Sequence, residues 1–276
     1  MRDLSGRVAV VTGASSGIGR ALAVRLAREG MTLMLADVDR GGLAETAALA
    51  RETKVLTQIT DVSDAVAVRH LADRAFGELG AVHLLCNNAG VFQGGYMWTR
   101  TCEDFAWMLG VNLWGILHGI NCFVPRMIEQ NTEGHILNTV SGPALFAGPR
   151  SGAYSLSKYA AFAASQALAQ DLAAAGSQLG VTALCPGWSR TQINRSERVR
   201  PADLAMPRTR DDLATQHLLD GLLAAGINPD QVVEAAIKAV RNDRFLALTH
   251  PGHEQGLRDH VEQLLAGMLP TVPELD

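Results

Sequence analysis

Val8-Ala9-Val10-Val11-Thr12-Gly13-Ala14-Ser15-Ser16-Gly17-Ile18-Gly19 runs directly into Arg20-Ala21-Leu22-Ala23-Val24-Arg25-Leu26-Ala27-Arg28-Glu29, and this stretch decides the fold class. Five apolar or β-branched residues without alternation predict a strand buried on both faces. Apolar residues at three- and four-residue spacing after Gly17 predict a helix over 17–29. The glycines between them let the chain turn tightly, let the backbone approach a pyrophosphate, and let helix and strand pack closely. The helix start adds unpaired N–H groups that attract an anion. The spacing is G-x-x-x-G-x-G rather than the G-x-G-x-x-G of the common dinucleotide fingerprint. Gly13, Ser15, Ser16, Gly17, Ile18 and Gly19 are therefore candidate cofactor-binding residues.

Outward from this unit, short apolar runs alternate with amphipathic stretches of helical length, the pattern of a parallel sheet with crossover helices. Strands are predicted at Val8 to Thr12, Thr32 to Ala36, Val55 to Ile59, His83 to Cys86, His135 to Val140, Val181 to Leu184 and Phe245 to Leu248. Helices are predicted at Gly17 to Glu29, Asp64 to Gly77, Glu103 to Glu129, Tyr154 to Ala174 and Pro229 to Arg241, with another at Glu254 to Met268. No linker, charge block or repeat interrupts the series, so residues 1–276 read as one doubly wound α/β domain. The exception is Ser189 to Asn228, rich in Arg, Asp and Pro. A long insertion after a late strand lies at the carboxyl edge of such a sheet, which makes 189–228 a candidate substrate lid.

Composition narrows the functional classes. The chain is 47% hydrophobic with a formal charge of -4. It has no basic cluster to bind a polyanion, which argues against a nucleic-acid partner. The apolar run near the N-terminus is too short for a signal core or a membrane span, so a cytoplasmic protein is expected. Cys86, Cys102, Cys122 and Cys185 form no close pair and are expected to be buried, reduced thiols. His217, His250, His253 and His260 lack metal-ligand spacing and are expected to be polar lid or surface residues, with no metal bound.

Asp37 closes the second predicted strand, where a carboxylate accepts hydrogen bonds from adenosine ribose hydroxyls and repels a 2′-phosphate. This favours NAD over NADP, with Arg40 three residues on as the cation that would argue the other way.

At this point the sequence resembles the short-chain dehydrogenase/reductase family over nearly its whole length. Thr12 to Gly19 is similar to the family's glycine pattern, and Asp61-Val62 to its adenine-contacting pair. Asn87-Asn88-Ala89-Gly90 resembles its strand-four motif. Asn112, Ser141, Tyr154 and Lys158 fall on its catalytic quartet, and Pro186-Gly187 with Thr191 on its Pro-Gly turn. The resemblance implies a Rossmann-type sheet of about seven parallel strands with helices on both faces, a nicotinamide cofactor, and assembly as a homotetramer or homodimer. It also implies that Asn88 to Gly90 meet the adenosine ribose and that Pro186 to Thr191 meet the nicotinamide half. Asn112 is then expected to hold a water linking Lys158 to solvent.

These residue types suit hydride transfer at a secondary alcohol. A phenol near its ordinary pKa of about 10 is a poor base at neutral pH, so a cation must stabilise the phenolate. Lys158 stands one helical turn from Tyr154, on the same face, and is expected to lower the phenol's pKa. Ser141 is expected to end the fifth strand and donate to the substrate oxygen. Phe92, Tyr96, Met97, Trp98, the run Pro143 to Phe146, and Trp188 point to a roomy apolar pocket for an aromatic, alicyclic or steroid-like alcohol. The segment from Ile193 to Pro251 is loosely similar to bacterial dehydrogenases acting on benzylic alcohols of lignin-derived aryl ethers, while 245–268 is an alternative cover for a neighbouring subunit's pocket. Two further readings remain open: a 3-oxoacyl-type ketoreductase, which the acid at Asp37 opposes, and a non-catalytic nucleotide-binding regulator, which would not need a base, a lysine and an oxygen donor together.

Overall fold

A computed structural model describes residues 1–273. Seven parallel strands form one sheet: β1 (Val8–Thr12), β2 (Thr32–Asp37), β3 (Val55–Ile59), β4 (Leu84–Asn87), β5 (Gly134–Thr139), β6 (Leu179–Cys185) and β7 (Leu246–Leu248). Their spatial order is β3-β2-β1-β4-β5-β6-β7. The order reverses between β1 and β4, and that switch point opens a crevice at the carboxyl ends of the strands. Central β1 is buried along its whole length, whereas edge strand β3 is half-exposed.

Helices α1 (Gly17–Arg28), α2 (Arg40–Leu49) and α8 (Pro229–Arg241) cover one face, and α3 (Ala65–Leu79), α5 (Gly115–Glu129) and α6 (Gly152–Ala174) the other. Leu22 and Leu26 of α1 pack with Val232 and Ile237 of α8, while Leu71 of α3 packs with Phe123 and Met127 of α5. Full burial of each such side chain contributes about 1.5–3 kcal/mol, which is why amphipathic spacing was a sound guide to these helices.

Several sequence expectations need correction. The helix expected over Glu103 to Glu129 is three pieces: α4 (Cys102–Leu109), a π-helical turn at Gly110–Trp114, and α5. Its length and apolarity would suit a membrane span, yet it packs against α3 and β4 inside the protein. Helix α2 was missed because its apolar face is short and two glycines, Gly41 and Gly42, stand in its first turn. Cys102 is exposed and Cys122 half-buried, so only Cys86 and Cys185 are buried thiols. His250 and His253 are buried rather than superficial, stacked at 5.1 Å between rings. The last helix, α9, spans Gly252–Leu265.

The insertion 189–228 is more ordered than its composition suggests. It contains 3-10 turns at Ile193–Val199 and Ala202–Leu204, and helix α7 (Arg210–Ala225), capped by Thr209. Buried charges tie it to α4. Arg200 reaches Asp104 at 2.7 Å and Glu197 at 3.2 Å, and Arg100 lies 3.7 Å from Asp104 and 3.6 Å from Asp211. The side chains of Arg100, Arg200 and Asp104 are at most 3% exposed. Burial by itself would raise the Asp104 carboxyl's pKa. The Thr101 N–H and the Arg200 guanidinium overcome this and hold it below the usual carboxylate value.

Candidate active site

One cleft of about 460 Å3 runs from the glycine turn after β1, across the carboxyl ends of β4 and β5, to the insertion. Along it lie Gly13, Ser15, Ser16, Gly17, Ile18, Asp37, Asp61, Val62, Asn88, Ala89, Gly90, Ser141, Tyr154, Lys158, Pro186, Gly187 and Thr191, all singled out from the sequence. Two sequence candidates, Gly19 and Asn112, stand behind its wall.

Close approach explains the glycines. A Cβ at Gly13, whose φ is +66°, would stand 2.7 Å from Ala89 Cα, and one at Gly19 would stand 2.0 Å from the Gly13 carbonyl oxygen. Gly19 thus shapes the turn without bordering the cleft. Asn88 locks the same corner: its amide nitrogen donates to the Thr12 and Gly13 carbonyls at 3.1 and 3.4 Å, and its amide oxygen accepts from Thr139 at 3.1 Å. Ser16 precedes helix α1 and makes no capping hydrogen bond with its side chain, whereas Asp39, Asp64, Thr101, Thr209 and Asn228 each cap a helix of their own. The first N–H groups of α1 are therefore left facing the cleft, in a cradle that side chains do not fill. At the end of β2, Asp37 accepts from the N–H groups of Ser15 and Asp39, both at 2.9 Å, which fixes its carboxylate beside the turn. Asp61 is held by a local turn, accepting from the Ser63 N–H at 2.9 Å. These donors, the acid and the glycine cradle fit an adenine dinucleotide.

Deeper in, Tyr154 and Lys158 are buried together on α6, with the ammonium 5.8 Å from the centre of the phenol ring. Lys158 Nζ donates to the Thr139 carbonyl at 3.1 Å, and a Cβ at Gly90 would lie 3.5 Å from it. Phe92 meets Tyr154 edge-on at 4.9 Å. Burial pushes the Tyr154 phenol up to about 12, against a smaller opposing pull from the Ser141 hydroxyl, and burial pushes the Lys158 ammonium down to about 8. The expected lowering of the phenol by Lys158 is therefore not realised in the protein alone: both groups are driven toward their neutral forms because water is excluded.

Ser141 lies two residues beyond β5 rather than ending it, just before a short 3-10 turn at Gly142–Ala144. Asn112 sits in the π-helical turn, fully buried. Its amide oxygen accepts from the Val91 N–H at 2.8 Å, and its nitrogen donates to the Val91 carbonyl at 3.0 Å and the Ser157 hydroxyl at 2.9 Å. With both amide hydrogens committed, Asn112 pins the segment that follows Gly90 against α6.

The far end of the cleft is apolar. Phe92, Phe146 and Trp188 line it as the sequence suggested, but Tyr96, Met97 and Trp98 are exposed outside it. Missed from the sequence were Trp107 on α4 and Leu218, Leu219 and Leu223 on α7. Trp107 stands on a helix that the sequence did predict, over 103–129, whereas the leucines of α7 had only helical spacing inside the 189–228 insertion to signal them. Val272, after α9, lines the cleft of its own chain, and it packs within 3.6 Å of where a Cβ on Gly148 would be. Between the two ends, the Pro186–Trp188 loop is held from behind: the Gly187 N–H donates to Thr249 Oγ1 at 3.2 Å, and His250 meets the Trp188 carbonyl at 3.2 Å.

A Rossmann-type sheet whose switch point opens onto a dinucleotide cradle and a buried Tyr-Lys pair defines a nucleotide-dependent oxidoreductase scaffold. The chain belongs to the short-chain dehydrogenase family, whose model matches residues 7–201. It is similar to a short-chain dehydrogenase/reductase from Burkholderia phymatum solved in complex with NAD, 40% identical, with a TM-score of 0.96 and 99% of each chain covered. It is also similar to the 1-deoxy-11-beta-hydroxypentalenate dehydrogenase of Streptomyces avermitilis, 34% identical across 91% of this chain and 87% of that relative. A third relative, the CLA biosynthesis dehydrogenase/reductase of Lactiplantibacillus plantarum, is 29% identical across 100% of this chain and 99% of its own length.

Proposed function

We propose that the protein interconverts a secondary alcohol and a ketone by hydride transfer with NAD, on an apolar substrate held beneath a lid formed by 189–228. The observation that carries this is the burial of Tyr154 and Lys158 one helical turn apart in the same cleft as the glycine cradle. When bound, NAD supplies the hydride acceptor and a positively charged ring. Gly13 to Ile18 and the uncapped start of α1 hold the pyrophosphate, and Asp37 accepts from the adenosine ribose. The Ser15 and Asp39 N–H groups fix the Asp37 carboxylate beside the turn, where an acidic side chain opposes a 2′-phosphate, so NAD is the preferred form.

The chain's own residues then manage one proton. Tyr154 Oη takes it from the substrate hydroxyl, with Ser141 donating to the same substrate oxygen and stabilising the charge that develops there. Lys158 Nζ stabilises the phenolate and holds the nicotinamide ribose from its seat near Gly90. Its ammonium is the dominant form below a pH of about 8, so the cation that lowers the phenol is present at neutral pH. Asn112 keeps Val91 and α6 in register, which positions Gly90 against Lys158. The naming of the Streptomyces relative as a dehydrogenase of a hydroxylated compound supports the reaction class.

The test follows reduced-cofactor absorbance with NAD or NADP and a panel of apolar secondary alcohols. Tyr154→Phe is expected to lower kcat by about 10²–10⁴-fold while NADH binding, read by fluorescence, is retained. Undiminished turnover in that variant would remove Tyr154 from the reaction.

A further inference from the structure

The distribution of arginines around the cleft is uneven. Arg100, Arg200 and Arg208 are spent on Asp104, Asp211, Glu197 and Asp212. Two others, Arg150 and Arg198, line the cleft itself, and neither has a carboxylate partner among the described residues. Arg198 gives one N–H to the Arg195 carbonyl at 3.1 Å. Arg150 lies 5.4 Å above the Tyr96 ring. The acids that line the cleft, Asp37 and Asp61, stand at the opposite end beside the glycine cradle. The substrate half thus presents positive side chains from Lys158, Arg150 and Arg198 against walls of Trp107, Ile193 and Leu219. Cations without acidic partners beside an apolar cleft attract a negative ligand to it.

The backbone at Arg150 adds an independent observation. Its φ is +59°, a left-handed conformation that a long L side chain rarely adopts and that glycine or asparagine would occupy at less cost. The Gly95 N–H holds the strained peptide by donating to the Arg150 carbonyl at 2.8 Å. Strain kept at a cleft-lining cation, four residues before Tyr154, makes sense where the guanidinium has a ligand to meet.

We propose that the cleft recognises a carboxylate at the end of the substrate remote from the carbinol, so that the substrate class is an apolar hydroxy acid or oxo acid. The proposal rests on the alcohol-dehydrogenase reading above. A guanidinium offers a carboxylate two parallel N–H donors, and Arg150 and Arg198 are the residues that make this contact.

The experiment pairs three hydroxy acids, ricinoleate, lithocholate and para-(hydroxyethyl)benzoate, with their methyl esters, which keep the carbinol and lose the charge. With NAD present, at least one acid is expected to exceed its ester by about tenfold or more in kcat/KM, carried mostly by KM, as befits a charge-assisted contact. In Arg198→Ala, and separately in Arg150→Gly, the acid-to-ester ratio falls toward one. Arg150→Gly also relieves the strained backbone, so Tm is expected to hold or rise while the ratio falls; a merely structural arginine would lower acid and ester together. Tryptophan-fluorescence titration of the same pairs reads binding without turnover. If acids bind preferentially but no alcohol is oxidised, the alcohol-dehydrogenase reading fails and the carboxylate site stands. Equal binding of acid and ester in every pair, or equal weakening of both by the variants, overturns the carboxylate site alone.

Discussion

The two walls of the cleft are held by different forces. On the cofactor side, backbone meets backbone: Gly13 against Ala89, Gly19 against the Gly13 carbonyl, with Asn88 bridging the ends of β1 and β5. On the insertion side, charge meets charge away from water: Asp104 lies between Arg100 and Arg200, and Arg200 stacks 4.8 Å over Trp107. A wall fixed by steric exclusion fails when an atom is added. A wall fixed by buried ions fails when one is removed, because the partners are left charged and desolvated.

The largest effect expected from this contrast is on the insertion side. Asp104→Ala takes from Arg100 and Arg200 the buried carboxylate they share, leaving only the more exposed Asp211 and Glu197 beside them, and is expected to cost about 3 kcal/mol, seen in denaturant unfolding. Its KM for alcohols should rise more than its KM for NAD; an equal rise in both would mean that the walls are not separately held. On the cofactor side, Gly19→Ala adds one methyl into a space where Gly13 leaves none. It is expected to cost about 1–3 kcal/mol in the same assay and to weaken NADH binding in fluorescence titration.

A smaller effect sharpens the chemistry of the cofactor wall. Asp37→Ala removes the carboxylate proposed to meet the ribose, and the ratio of kcat/KM values for NAD and NADP should shift toward NADP by about tenfold, or about 1.4 kcal/mol. An unchanged ratio would show that Asp37 serves only to receive the Ser15 and Asp39 N–H groups. The mildest test is acid. Burial depresses His253 to about 4 and His135 to about 3, below their ordinary 6.5. The unfolded chain therefore binds more protons than the folded one as pH falls below about 6.5. Stability present above that value should be lost progressively toward pH 4. His253→Phe is expected to flatten the decline in Tm across that interval, and an unaltered slope would assign the decline elsewhere.

The same contrast explains what was legible in the sequence. Steric necessity writes itself as glycine at fixed spacing, so Gly13, Gly17 and Gly19 pointed to the turn and the nucleotide end together. Tyr154 and Lys158 were legible through the resemblance of several motifs taken together, and helical spacing then put them on one face. The insertion was opaque: Arg100, Asp104 and Arg200 are separated by up to 100 residues' worth of chain, and buried ion pairs leave no periodic trace. Its Arg, Asp and Pro content marked it as a lid without regular structure, which hid α7 and the apolar residues it turns into the cleft. The protonation of the Tyr-Lys pair was also out of reach, since spacing reports neighbours and not the loss of water around them. The same applies to His250 and His253, whose burial depends on contacts with 142–146 and 186–188.

Thr191 rests on Gly17, with its methyl 3.1 Å from where a Cβ on that glycine would be. The root of the insertion is therefore wedged into the nucleotide turn, while Ile193, Leu204, Leu218, Leu219 and Leu223 beyond it add apolar side chains to the cleft. Inheritance can rewrite this outer segment without disturbing the glycine turn, provided that the wedge itself is spared. For engineering, chimaeras that exchange the segment downstream of Thr191 between relatives inherit a new diet with the old redox machinery, whereas a splice upstream of it carries both away.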